Sequence, residues 1–161
     1  MNHGKETILV NELIEKKYTI STAESCTGGL LAATIVNVSG ASEVFNEGYV
    51  TYANEAKHRI LGVSSDVLEK LGAVSEETAK QMAEGCAKNA NANIGISTTG
   101  IAGPGGGTEE KPVGLVYFGC YHNGKTFAVK RIFDGDRSSV RQQAVKEAIE
   151  IVLDALKNSK L

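Results

Sequence analysis

Two potential nucleophiles, Ser25 and Cys26, stand side by side in the segment Ala23-Glu24-Ser25-Cys26-Thr27-Gly28-Gly29. A β-type run over Tyr18–Ala23 leads into it, and a helix-type run over Gly28–Val38 follows it. The segment therefore reads as a strand–turn–helix corner. Such a corner aims free backbone N–H groups and the positive end of a helix at one spot, which suits a phosphate or a developing oxyanion. A phosphate there would mean a nucleotide-binding module; an oxyanion would mean acyl-transfer chemistry. Thr27, Gly28 and Gly29 are the candidate backbone donors.

A serine hydroxyl is a weak nucleophile until a base takes its proton. The three histidines, His3, His58 and His122, fall near the start of the chain, on a helix surface and at a hairpin tip. A Ser-His-Asp arrangement is thus poorly supported, and no Gly-x-Ser-x-Gly elbow is present. Lys57 is the better base, provided that burial or a nearby cation lowers its pKa toward neutrality. The plain alternatives are a solvated helix lysine for Lys57 and a helix cap for Ser25. Cys26 competes as nucleophile because a helix start lowers a thiol pKa, or it is a small packing residue.

Other polar residues gather around these. Tyr52 is a candidate proton relay, and Asn54 is either a carbonyl donor or a helix cap. Tyr52-Ala53-Asn54 also matches the Tyr-x-Asn element of some serine acyl-transferring enzymes, although their Ser-x-x-Lys and Lys-Thr-Gly partners are absent. The loop Thr99–Gly107 is dense in glycine, including Gly100 and Gly103, so its backbone can approach a ligand closely. It is neither a Walker A loop nor a dinucleotide fingerprint. Arg137 and Arg141, one helical turn apart, can pair with a phosphate or remain solvated. Ser42, in the turn Ser39–Ser42, is a lesser serine candidate.

The elements that must position these groups are legible from periodicity and punctuation. Helices are expected over Glu6–Lys17, Gly28–Val38, Asn54–Leu61 and, capped by Ser75, Glu76–Ala90; Ser65–Leu71 has room for one more short helix. Strands are expected over Tyr18–Ala23, Gly48–Tyr52 and Ile94–Thr99. Asn123-Gly124 joins Val113–His122 and Lys125–Phe133 as a hairpin. A last helix follows, capped by Ser138 or Ser139. Alternating elements with a late antiparallel hairpin predict one α/β domain over residues 1–161, an α/β/α layered fold with a mixed sheet. The Ser25 corner, the Tyr52–Lys57 junction and the Thr99–Gly107 loop would then meet at strand ends, where ligands bind in such sheets.

Composition narrows the function classes. A net charge of −2, with no dense Lys/Arg run, argues against a nucleic-acid protein. No apolar run reaches the length of a membrane span, and Met1–Glu6 has no signal-peptide pattern. Three cysteines without metal-ligand spacing fit a reduced, cytoplasmic protein.

Four motifs taken together carry a family resemblance. They are Ala23–Gly29, Gly48-Tyr49-Val50-Thr51-Tyr52-Ala53-Asn54-Glu55-Ala56-Lys57, Thr99-Gly100-Ile101-Ala102-Gly103-Pro104 and Gly135-Asp136-Arg137. In this order, over essentially the whole chain, they resemble the CinA C-terminal domain family, which includes the PncC-type nicotinamide mononucleotide deamidases. The resemblance implies hydrolysis of the carboxamide of nicotinamide mononucleotide to nicotinate mononucleotide and ammonia, with no cofactor or metal. It implies Ser25 as nucleophile and Lys57 as base, with Tyr52, Asn54 and Thr99 as further polar site positions. It also implies a homo-oligomer, and a domain often fused to a molybdopterin-binding-like domain; this chain reads as the stand-alone form. A non-catalytic nucleotide-binding or regulatory module of the same fold is the alternative, and a Cys26 thiol hydrolase is a third reading.

Overall fold

A computed structural model describes residues 3–158 of the chain. The elements run α1 (Lys5–Lys16), β1 (Ile20–Glu24), α2 (Leu30–Val36), a 3₁₀ turn (Ala41–Glu43), β2 (Phe45–Val50), α3 (Asn54–Leu61), α4 (Ser65–Leu71) and α5 (Glu76–Ala90). They continue with β3 (Ile94–Gly100), β4 (Leu115–His122), β5 (Lys125–Ile132) and α6 (Arg137–Asn158). The five strands form one sheet in the order β2-β1-β3-β4-β5. β1 pairs in parallel with β2 and β3, whereas β3–β4 and β4–β5 are antiparallel. This is the mixed sheet with a late hairpin that the sequence predicts. The hairpin turns on Asn123 and Gly124, both at positive φ as a two-residue turn requires.

Helices cover both faces. Val10, Leu13, Leu31, Ile35, Ala144 and Val152 from α1, α2 and α6 pack on one face against Ile20, Ile96 and Phe118 of the sheet. On the other face α5 lies along β3 and β4, flanked by α3 and α4. That second layer sits very close to the strands. A Cβ at Gly95 would strike the carbonyl of Ala83, and one at Gly119 the carbonyl of Ala79. Ser97 Oγ donates to Ala79 O at 2.6 Å across the same seam.

Several local expectations move by a few residues for definite reasons. α1 stops at Lys16 because Lys17 adopts the left-handed conformation at φ 57°. Gly62 ends α3 in the same way, and Ser75 caps α5 by accepting from Thr78 N at 3.1 Å. Asn54 is not the cap of α3: Ala53 holds that position without a side-chain bond. Neither Ser138 nor Ser139 caps α6; Asp136 does, its Oδ1 accepting from Ser139 N at 2.9 Å. β2 pairs along β1 from Phe45 to Val50, so the chain has left the sheet before Tyr52. That departure lets the chain turn at Thr51–Ala53 and enter α3 at once.

The consequence for function is positional. Ser25 follows the carboxyl end of β1, Tyr52 follows that of β2, and Thr99 lies at that of β3. All three strands run parallel, so these ends share one edge of the sheet. β1 sends its crossover to one neighbour through α2, while β3, its other neighbour, is reached through α5. The space beyond β1 is therefore a switch point of the kind where open α/β sheets bind ligands.

Candidate active site

Lys57 is the most unusual residue of the described chain: a lysine with no solvent exposure. It sits in the first turn of α3, and with Leu61 one turn on it forms the inward face of that helix. Its Nζ donates to Thr51 O at 2.7 Å and Tyr52 O at 3.2 Å, and lies 3.0 Å from Ser25 Oγ. No carboxylate pairs with it among the described residues. Burial lowers its pKa from 10.5 to about 8, with a small opposing effect from Cys26. An amine at that pKa is neutral in roughly a quarter of molecules at pH 7.5. A neutral amine has two N–H groups, which the two carbonyls take, and one lone pair, which is left facing the serine hydroxyl. In that neutral form Ser25 O–H is the donor and Lys57 Nζ the acceptor, whereas the ammonium form donates to Ser25 Oγ.

The corner itself departs from the anion cradle that its sequence offers. The start of α2 is already occupied by the chain's own Glu24, a fully buried carboxylate. Glu24 Oε1 accepts from Leu31 N at 2.7 Å and from Thr27 Oγ at 2.6 Å, and Oε2 accepts from Ala32 N at 3.0 Å. The positive helix end therefore stabilises this carboxylate, not an external phosphate. Thr27 is buried, its hydroxyl shared between Glu24 and Thr98 Oγ1. Gly28 N–H closes the turn on Ser25 O at 3.1 Å, and Gly28 and Gly29 have φ of 58° and 103°. Glycine is needed there because a side chain is strained at such φ. Among the described residues, the N–H groups of Cys26, Thr27 and Gly29 bond to no other residue.

A cleft of about 270 Å³ opens over Ser25. Tyr52, Thr99, Gly100, Gly103 and Arg137 line it, together with Cys26 and Ala73 and Val74 from the α4–α5 connection. Thr99 is held by its hydroxyl on Ala73 O at 2.7 Å. Arg137 spans the mouth, donating from Nη1 to Gly103 O at 2.9 Å and from Nη2 to Tyr52 Oη at 3.1 Å. Tyr52 thus presents its carbonyl to Lys57 and its phenol to Arg137. Asn54 is exposed on α3 and does not line the cleft. Arg141 lies outside the cleft lining too, its Nε on Cys26 O at 3.0 Å and its Nη2 on Thr27 O at 2.9 Å. Ser42 is exposed on the 3₁₀ turn. No histidine lines the cleft; His58 Nδ1 is 2.7 Å from Val63 O, and His122 packs edge-on against Tyr18.

Cys26 does reach the cleft, but burial raises its thiol pKa to about 11. A thiol held there is almost wholly protonated at neutral pH, the opposite of an activated one. A larger cavity of about 580 Å³ lies between β5 and α6, away from Ser25, Cys26 and Lys57. Sequence reasoning missed Ala73 and Val74, which carry no chemical signal, and the role of Glu24. An acidic residue closing an otherwise uncharged strand was the available hint for the latter.

The CinA C-terminal domain model matches residues 2–156. The chain belongs to the CinA C-terminal domain family. It is 58% identical over 151 residues to a CinA-like protein of Kosmotoga olearia, covering 94% of this chain and 37% of that protein. It is also 58% identical over 147 residues to a relative from Clostridium beijerinckii, covering 91% and 36% respectively. The chain thus spans about a third of the length of the curated relatives it matches. Solved structures match over nearly their full length. A CinA superfamily protein of Escherichia coli aligns with a TM-score of 0.90 at 36% identity, over 92% of this chain and 87% of that one. The competence/damage inducible protein CihA of Agrobacterium tumefaciens aligns with a TM-score of 0.87 at 41% identity, over 96% and 97%. These likenesses establish the family and the fold. Among the described residues of this chain, no helix is long and apolar enough to cross a membrane.

Proposed function

We propose that this CinA-family domain hydrolyses the carboxamide of nicotinamide mononucleotide through a Ser25–Lys57 dyad, giving nicotinate mononucleotide and ammonia. One observation carries the reading: a carboxylate-free, fully buried lysine whose Nζ is 3.0 Å from a serine Oγ at the floor of a cleft. A phosphate cradle has no need of such a pair. Holding an unpaired lysine out of water costs stability, and lowering its pKa for proton transfer is a use that matches the cost.

Neutral Lys57 takes the proton of Ser25 as Oγ attacks the carboxamide carbon. The resulting oxyanion accepts the N–H of Cys26, the residue after the nucleophile, a position used by hydrolase elbows. One such donor is typically worth about 3 kcal/mol of barrier. The Lys57 ammonium returns the proton to the amide nitrogen and ammonia leaves, so a serine ester remains. Water then attacks the ester while Lys57 takes its proton and passes it back to Ser25 Oγ. Nicotinate mononucleotide departs and the dyad is restored.

In this reading the pyridine ring enters the cleft carboxamide first, with ribose and phosphate toward the mouth. Arg137 is there, with donors beyond the two it spends on Tyr52 and Gly103. It is the group we assign to the phosphate. The test is ammonia release from nicotinamide mononucleotide by the purified protein and by Ser25→Ala and Lys57→Ala. Losses of at least ~1000-fold in both variants are expected. Near-normal release in either variant removes the dyad. Thermal stabilisation by the nucleotide without any ammonia favours a binding module instead.

A further inference from the structure

Arg141 is half-buried, yet its guanidinium serves two main-chain oxygens of the Ser25 corner rather than a carboxylate. Nε donates to Cys26 O at 3.0 Å and Nη2 to Thr27 O at 2.9 Å, across more than a hundred residues of sequence. Around it, most carbonyls of the corner are committed. Ser25 N donates to Thr98 O at 2.9 Å, Ser25 O accepts Gly28 N, and Thr27 O also accepts Leu30 N at 3.0 Å. The uncommitted donors are the N–H groups of Cys26, Thr27 and Gly29, of which Cys26 N–H is the one directly after Ser25. In a trans peptide the N–H points opposite to the carbonyl. Ser25 O is turned into the corner, so Cys26 N–H is turned out of it, and Cys26 lines the cleft beside Ser25.

We infer that Arg141 is a positioning residue for the oxyanion donor of the reaction proposed above, on which this inference rests. The fork of the guanidinium holds two successive carbonyls at once, and so fixes the Cys26–Thr27 and Thr27–Gly28 peptide planes, the first of which adjoins the plane that carries Cys26 N–H. Cys26 sits between the plane tied by Gly28 and the plane tied by Arg141, with no rotation left to it. Arg141 acts on the transition state through these planes and touches no part of the substrate. Lysine, a point donor on a flexible stem, cannot hold both carbonyls in the same way.

The test uses two readouts on the intact protein, Arg141→Lys and Arg141→Ala. The first is kcat and KM for ammonia release from nicotinamide mononucleotide. The second is the rate at which phenylmethylsulfonyl fluoride labels Ser25, read by intact mass, which does not depend on which amide is the substrate. Arg141→Ala is expected to lower kcat and the labelling rate by about 100-fold each, with KM within threefold. Guanidinium ion should restore part of both rates in Arg141→Ala. Arg141→Lys should fall between, while keeping the wild-type near-ultraviolet circular dichroism. A rise in KM at constant kcat would overturn the inference and make Arg141 a substrate ligand. Unchanged rates in a folded variant would overturn it as well. Wild-type labelling without turnover, lost in Arg141→Ala, would sustain the positioning role and reject only the substrate. Neither labelling nor turnover in the wild type would overturn both.

Discussion

In the proposed reaction Lys57 is a useful base only because burial has shifted it, and that shift can be read from the pH dependence of turnover. An ordinary lysine at 10.5 is neutral in about one molecule in a thousand at pH 7.5, whereas one at about 8 is neutral in about one in four. Burial thus raises the working population of base by a little over 200-fold. The profile of kcat/KM for ammonia release should rise with pH and level off with an apparent pKa near 8. Lys57→Arg keeps a cation beside Thr51 and Tyr52 but cannot give up its proton at these pH values. It should lose at least ~1000-fold and show no such limb. The same shift has a thermodynamic signature. Below about pH 8 both folded and unfolded chains hold the Lys57 proton, and the folded chain bears the full burial penalty of about 3 kcal/mol. Between about pH 8 and 10.5 the unfolded chain binds a proton that the folded chain lacks, so this group's contribution rises with pH as the penalty disappears. Chemical denaturation of wild type and Lys57→Met across pH 7 to 10.5 should therefore show the wild type gaining on the variant. A turnover profile flat from pH 6.5 to 9, or an inflection near 6.5 that survives in Lys57→Arg, would refute the reasoning.

Three further outcomes follow from the geometry. Cys26→Ser should retain at least a third of wild-type ammonia release and resist mild alkylation, because the thiol it replaces is protonated at neutral pH; abolished turnover would restore the thiol mechanism. Arg137→Ala should raise KM for nicotinamide mononucleotide by about 10- to 100-fold, the worth of a charge-assisted pair, with kcat within threefold; an unchanged KM would place the phosphate elsewhere. Gly95→Ala should lower stability by more than ~3 kcal/mol in urea denaturation, because the new Cβ meets the Ala83 backbone and α5 must lift from the sheet; a wild-type midpoint would contradict the close packing.

The legible parts of this protein were those whose signals are local. Asn123-Gly124 announced its hairpin, and Ser75 announced α5. The run from Gly48 to Lys57 placed a strand end and a helix start close enough to hand Lys57 to the sheet edge. The four separated motifs carried the family. What could not be read were the duties decided by how the chain folds back on itself. Glu24 looks like one more polar residue of the corner until Leu31 and Ala32 turn their N–H groups toward it. That bond converts an apparent phosphate site into an occupied one. Arg141 reads as a surface cation one turn after Arg137, and only the packing of α6 against α2 brings it to Cys26 and Thr27. Arg137 and Arg141 are alike in sequence but differ in surroundings: one faces the cleft, the other its supporting turn. Tyr52 likewise has a partner that its sequence does not announce: β2 ends before it, and its phenol accepts from Arg137 at the mouth of the cleft.

Ammonia production from nicotinamide mononucleotide, measured side by side for the wild-type protein and Ser25→Ala at pH 8, tests the central claim most directly. Steady release by the wild type and a loss of at least ~1000-fold in the variant, with the nucleotide still bound, are expected. Equal release by the two proteins, or binding without release by both, would contradict it.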